Sequence, residues 1–322
     1  MTEWVRHYRA EGVSQFVLVD DESTDDGAAI ARALGCTVVP RGQTTYQSQS
    51  YEQYARLLTT QWMLIADLDE FVFARAPATL ASYLAAHAAT ACGSISVPWT
   101  MFGSSNASSH PFSLVDSNRH RLPTQDIRMN VKTFVRVADL CAPNAVDTHS
   151  SFVSSQYCTS TDPPSAREGV HFSCADWRAT EGLEPAAGES LASLQVRRRE
   201  LSFHNGTVPD ADHVLQLNHY IEQSWEYYCK IKVNRGNANQ DNERTAPLDF
   251  APAGGDGVPP KYTPAWYTHY NGMFSGARDD ALADKRGRAF IAELPRTRAW
   301  PKGTYTAELR SECERAYPQR RR

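Results

Sequence analysis

Strand-like and helix-like stretches alternate through the first hundred residues, and two of the strand-like stretches stop on clusters of acid. "QFVLVDD" (15–21), "CTVVP" (36–40), "WMLIAD" (62–67) and "SISVPW" (94–99) are short and apolar, as buried strands are. Between them, 2–10, 23–35, 49–60 and 79–91 carry helical patterns. The second opens on Ser23 and Thr24 with acid in its first turn and closes on Gly35, as helices do. Such alternation predicts an α/β fold with a mostly parallel sheet and helices on both faces. Ligands of these folds bind beyond the carboxyl ends of the strands. The acid clusters Asp20–Glu22 and Asp67–Glu70 fall at two such ends.

The second half is less regular. "NVKTFVRV" (130–137) reads as a strand, and 213–238 as a short strand running into a helix. Residues 154–200 are rich in Ser, Thr, Pro, Arg and Glu and read as a polar insertion. Many Pro and Gly residues in 245–265 predict loop. The expected organisation is one domain over 1–240, followed by a loop-rich C-terminal extension over 241–322.

Composition narrows the function classes. With 41% hydrophobic and 22% charged residues, the 322-residue chain can bury a core. A net charge of −4 gives no electrostatic case for nucleic acid. No apolar run approaches the roughly 20 residues of a membrane-spanning helix. "MTEWVRHYRAEG" reads as an amphipathic helix, not a signal peptide. The seven cysteines include no CxxC pair, which argues against structural zinc. Cys158 and Cys174 could bridge in an oxidising lumen, or the cysteines could be free and partly buried.

The chemistry concentrates in "DLDEF" (67–71). Carboxylates this close repel one another, and burial raises the cost of each charge. Either water solvates Asp67, Asp69 and Glu70 at a turn, or a divalent cation sits among them and bridges to a diphosphate. In "VLVDDESTDDG", Asp20 and Asp21 suit recognition of ribose hydroxyls and base edges, although an ordinary capped helix explains the same residues. His219 in "LNHY" could complete a metal site, with His149 and His204 as rivals, or could be a core histidine. Lys230, Lys232 and Arg235 offer phosphate contacts or a solvated helix face.

Taken in order, these pieces resemble the family 92 glycosyltransferases and their relatives in the family 2-like group. The carriers are Glu3-Trp4, then His7, Gly12, Val13 and Phe16, then Val19 to Asp25. Trp62 to Phe71, Val131 to Arg136, His149 and Asn218 to Glu226 follow. The resemblance covers about 3–150 and 213–240. It implies a GT-A fold, a UDP-hexose donor such as UDP-galactose, a glycan or glycoconjugate acceptor, and manganese or another divalent ion. It implies that Asp20 and Asp21 face the nucleoside, that Asp67 faces ribose or metal, that Asp69 binds the metal, and that His219 is a further ligand. Lys232 is the expected phosphate contact and Glu226 the candidate base for the acceptor hydroxyl. The enzyme class points to the Golgi lumen. Two departures stand out. The family pattern has a strand upstream of the Glu3-Trp4 helix that this sequence does not hold, and Gln223 replaces a lysine. Both leave open an alternative, a catalytically inactive relative that acts as a sugar- or protein-binding module.

Overall fold

A computed structural model describes residues 1–41, 47–55, 57–75, 77–122, 131–142, 146, 151–164, 173–175, 213–232, 264–274 and 276–294. The chain opens with α1 (Thr2–Ala10), β1 (Val17–Asp20), α2 (Gly27–Ala33), β2 (Thr37–Pro40) and α3 (Gln47–Ala55). Next come β3 (Trp62–Leu64), β4 (Glu70–Ala74), α4 (Leu80–Ala86), β5 (Cys92–Met101), α5 (Leu114–Ser117), β6 (His120–Arg121) and β7 (Val131–Arg136). After β8 (Gln156–Thr159) and β9 (Leu215–His219), a short α6 (Trp225–Tyr227) runs into a π-helical turn, Tyr228–Lys232. The described chain closes with α7 (Pro264–Met273), β10 (Ala277–Arg278) and α8 (Ala281–Ala292).

The α/β class holds, with a central sheet flanked by helices, but the sheet is mixed and not mostly parallel. Its order is β3-β7-β5-β9-β4, with β8 sharing the β9 side of β5. β5 is parallel to β8 and β9, whereas β3–β7, β5–β7 and β4–β9 are antiparallel. β4 begins only five residues after β3, yet the two stand at opposite ends of that order, and β4 takes its partner from β9, far along the chain. The sequence pattern shows acid followed by "FVF" and gives no hint that this is a separate strand in the middle of the core.

β4 is buried along its whole length. Its side chains alternate between two cores, as strand geometry requires. Val72 and Ala74 pack with Val5, Leu80, Tyr83 and Ile95 under α1 and α4. Phe71 and Phe73 pack on the other face with Leu114, Tyr220 and Leu282, under α5 and α8. Burying each of these phenylalanines is worth about 1.5–3 kcal/mol.

Helix α1 binds the two halves of the chain together through polar residues that recur every four positions. Glu3 accepts from the Ser113 hydroxyl at 2.5 Å and from the Leu114 N–H at 2.9 Å, which anchors α5. His7 is fully buried, and burial holds its pKa well below the usual range. Its Nδ1 accepts from the Arg286 Nε at 3.1 Å, so its Nε2–H donates to the Val72 carbonyl at 2.7 Å. Glu11 has no exposure, accepts from the Ala74 and Leu80 amides, and pairs with both Lys285 and Arg286 of α8. Gly12 follows at φ +89°, and a Cβ there would lie 2.4 Å from the Ala81 Cβ, so only glycine lets α1 turn beside α4.

Residues 264–292, expected as part of a loop-rich extension, thus hold two helices that pack on the N-terminal half. Asn271 accepts from the Ser104 N–H at 2.6 Å, and Arg6 pairs with Glu293. Most of the predicted insertion at 154–200 lies outside the described residues. Neither open reading of Cys158 and Cys174 holds, a mutual bridge or free thiols: Cys158 pairs with Cys92 and Cys174 with Cys141. β8 lies alongside β5, and that long-range pairing brings Cys158 to Cys92. Cys229 is also disulfide-bonded, and Cys36 is a buried free thiol.

β1 and β2 form a separate parallel pair. Between β1 and β3 lies a cavity of about 320 Å³, lined by apolar side chains that include Val17, Val19, Met63, Leu64, Leu84 and Phe134. Among the described residues, β1 pairs only with β2 and β3 only with β7.

The Glu11 cluster generates a stability prediction. Glu11→Ala removes the shared acceptor of two buried cations and two buried amides. Thermal or denaturant unfolding is expected to show a loss of about 3–5 kcal/mol. A loss below about 1 kcal/mol would mean that the cluster is solvated and does not hold α8 in place.

Candidate functional site

The turn between β3 and β4 carries the carboxylates, and three elements build it. The Glu70 N–H donates to the Asp67 carbonyl at 3.0 Å, and the Asp67 N–H donates to Glu70 Oε2 at 2.8 Å. These reciprocal bonds close the turn. From α1, the Trp4 indole N–H donates to both the Asp67 and Glu70 carbonyls, at 2.9 and 3.0 Å. Tyr8, one helical turn on, donates to the Glu70 carbonyl and accepts from the Val72 N–H. Trp4 and Tyr8 stack edge-on at 4.7 Å, so the clamp is itself packed.

Beneath the turn lies Lys132 of β7, with no exposed side-chain surface. Its Nζ is 3.2 Å from Asp67 Oδ2 and 3.2 Å from Glu70 Oε2. Burial alone would lower the lysine's pKa, yet the charges of Asp67 and Glu70 raise it. Glu70 is fully buried, and burial pushes its carboxyl up to about 8 against the pull of Lys132. Asp67 remains about one-third exposed, at 36%.

Strand pairing brings the histidine. The register of β4 with β9 sets Glu70 opposite His219, and the Tyr220 N–H donates to the Asp69 carbonyl at 2.8 Å. His219 Nε2 therefore lies 3.7 Å from Asp69 Oδ1. The π turn after α6 sets Lys232 Nζ 3.6 Å from Asp69 Oδ2. Burial lowers the His219 pKa to about 4, so the imidazole is neutral at physiological pH. Trp99 packs on its ring at 4.2 Å, and the His219 Nδ1 is buried with no hydrogen-bond partner among the described residues. α7 closes this side: burial holds the Tyr270 hydroxyl well above its usual range, with the charges of buried Glu222 and of Asp69 adding to the effect.

Asp67, Asp69, His219 and Lys232 thus meet at one place. Asp20 and Asp21 end β1, where Asp20 accepts from the Ser23 N–H at 3.3 Å and Asp21 pairs with Arg41 at 3.0 Å. Glu226 pairs with Lys230 at 2.7 Å and accepts from the His110 N–H at 2.9 Å, a bond that ties α6 to the loop before α5. His149, His204 and Arg235 lie outside the described residues. Gln223 is buried in the left-handed region at φ 47°, and its carbonyl accepts from Asn118 at 2.8 Å. Lys132, Trp4, Tyr8 and Glu222 escaped the sequence reading as site residues. The available signal for Lys132 was a charge near the start of a strand, two residues before the apolar pair Phe134 and Val135.

No group of three or more His, Cys, Asp and Glu forms a metal cage among the described residues. The residues still fit a divalent ion of the manganese kind, which takes carboxylate and imidazole donors and completes its shell with water and substrate phosphates. A neutral histidine whose Nε2 lies 3.7 Å from the Asp69 carboxylate is such a donor set. The apolar cavity between β1 and β3 is lined by none of these groups.

Comparison with known proteins gives one family match. Residues 10–146 match the family described as glycosyl transferase family 2, a span that takes in both acid clusters but not His219 or Lys232. No curated protein matches the chain. Over residues 10–146 the chain therefore carries a glycosyl transferase family 2-like domain, built on an α/β fold of the GT-A type.

Proposed function

We propose that this protein is a metal-dependent glycosyltransferase that moves a hexose, galactose by preference, from a UDP-sugar to a glycan or glycoconjugate acceptor. The observation that carries the proposal is the meeting of Asp69, His219 and Lys232 beside Asp67, at a strand end within a family 2-like fold. The family 92 resemblance supports a UDP-hexose donor and inversion at the anomeric carbon.

Asp69 and His219 hold the divalent ion in this reading, and Asp67 takes the ribose or the ion. When bound, manganese supplies Lewis-acid neutralisation of the departing diphosphate. Lys232 adds a cation for the phosphates, and Asp20 and Asp21 face the nucleoside. A carboxylate takes the proton of the acceptor hydroxyl. Glu226, which pairs with Lys230 and accepts from the His110 N–H, is the candidate for that step. The disulfides support an oxidising compartment, consistent with the Golgi lumen.

Two substitutions test the metal assignment. Asp69→Asn keeps the size of the side chain and removes its charge. Calorimetry is expected to show that manganese-dependent UDP binding is abolished while the melting temperature stays near that of the unaltered chain. Undiminished, metal-dependent UDP affinity in Asp69→Asn would sink the role of Asp69. His219→Ala is expected to weaken the same binding by at least about tenfold, the lower end of what changes around a metal ligand cost. Unchanged affinity would return His219 to the status of a packed core histidine.

A further inference from the structure

Lys132 is an unusual choice of residue for its position. It lies in the middle of the sheet, paired with Val97 of β5, and has no exposed side-chain surface. An apolar side chain of the same length would pack there without the desolvation cost of a buried ammonium. The register that sets Leu64 opposite Phe134 carries Lys132 to the level of Ala66 and Asp67. Its Nζ reaches 3.2 Å from Asp67 Oδ2 and 3.2 Å from Glu70 Oε2, the oxygen that also accepts the Asp67 N–H. Lysine, glutamate and the backbone and side chain of Asp67 thus form a closed ring.

We propose that Lys132 is a positioning residue that fixes the Asp67 carboxylate for the nucleotide and weakens the site's hold on a bare divalent ion. The inference rests on the donor-and-metal reading above. Asp67 and Asp69 would otherwise set two negative charges close together that attract any divalent ion and repel a diphosphate. A fixed positive charge against Asp67 removes much of that field. The ion then binds well only together with the diphosphate, whose oxygens restore the missing negative charge. Asp67 itself points one oxygen at Lys132 and keeps part of its side chain in solvent, a posture that a mobile aspartate would not hold.

The two effects have opposite signs, and a merely structural lysine would not separate them. Lys132→Met removes the charge and keeps the length. In the variant, manganese without nucleotide is expected to bind at least about fivefold more tightly, because a like charge close to the ion is gone. Manganese-dependent UDP binding is expected to weaken at least about tenfold, because Asp67 is no longer held. Lys132→Arg, which keeps the charge, is expected to stay near the unaltered chain in bare-manganese affinity. Bare-manganese binding that is unchanged or weaker in Lys132→Met, or UDP binding that is unchanged, would overturn the proposal. If Lys132→Met does not fold, Lys132→Gln, which removes the charge but keeps a polar head for Asp67, decides: bare-manganese binding is expected to tighten at least about fivefold, and no change would overturn the proposal. The unaltered chain is the control: absence of manganese-dependent UDP binding there would overturn the donor reading as well, whereas its presence confines any failure to Lys132.

Discussion

Three carboxylates stand within four residues at Asp67, Asp69 and Glu70, and their repulsion is the constraint that the surrounding structure answers. Each receives a different counterweight. Glu70 is buried and pushed up toward neutrality, with Lys132 against one oxygen. Asp67 shares the same lysine and keeps partial contact with solvent. Asp69 faces His219 and Lys232 from a different part of the chain. The turn is therefore polarised, with its inner side compensated by a permanent cation. Its outer side is left to a neutral imidazole and one lysine, which is where an added cation and a diphosphate are most easily accommodated.

The rest of the architecture keeps that turn in place. α1 does so with two adjacent stripes of side chains. Trp4 and Tyr8 grip the turn carbonyls directly, while Glu3, His7 and Glu11 tie the helix to α5, to β4, and to α4 and α8. A helix carrying three buried polar residues is costly unless each is fully partnered. Here the partners come from four other elements, so the same bonds that satisfy the helix also lock the site's floor. α7 and α8, among the described residues, extend this frame.

Much of this was legible in the sequence. Short apolar stretches marked β1, β2, β3, β5, β7 and β9, because strand burial writes itself into local hydrophobicity. Asp67, Asp69 and His219 were legible as candidates because charge at the end of an apolar run is unusual. What was not legible is whatever depends on pairing across long separations. β4 hid behind the acid cluster. The β4–β9 register, which brings His219 to Asp69, joins residues 150 positions apart, and no local pattern encodes it. The Cys92–Cys158 disulfide follows β5–β8 pairing and not sequence proximity. Lys132 looked like an ordinary polar strand residue until the sheet placed it under Asp67.

Donor turnover tests the central claim most directly. The protein is incubated with a panel of UDP-hexoses, with manganese or with a chelator, and released UDP is measured. The account predicts UDP release that requires manganese and is fastest with UDP-galactose. A correctly folded chain that releases no UDP from any donor, with or without manganese, would contradict it and leave a glycosyltransferase fold used for binding alone.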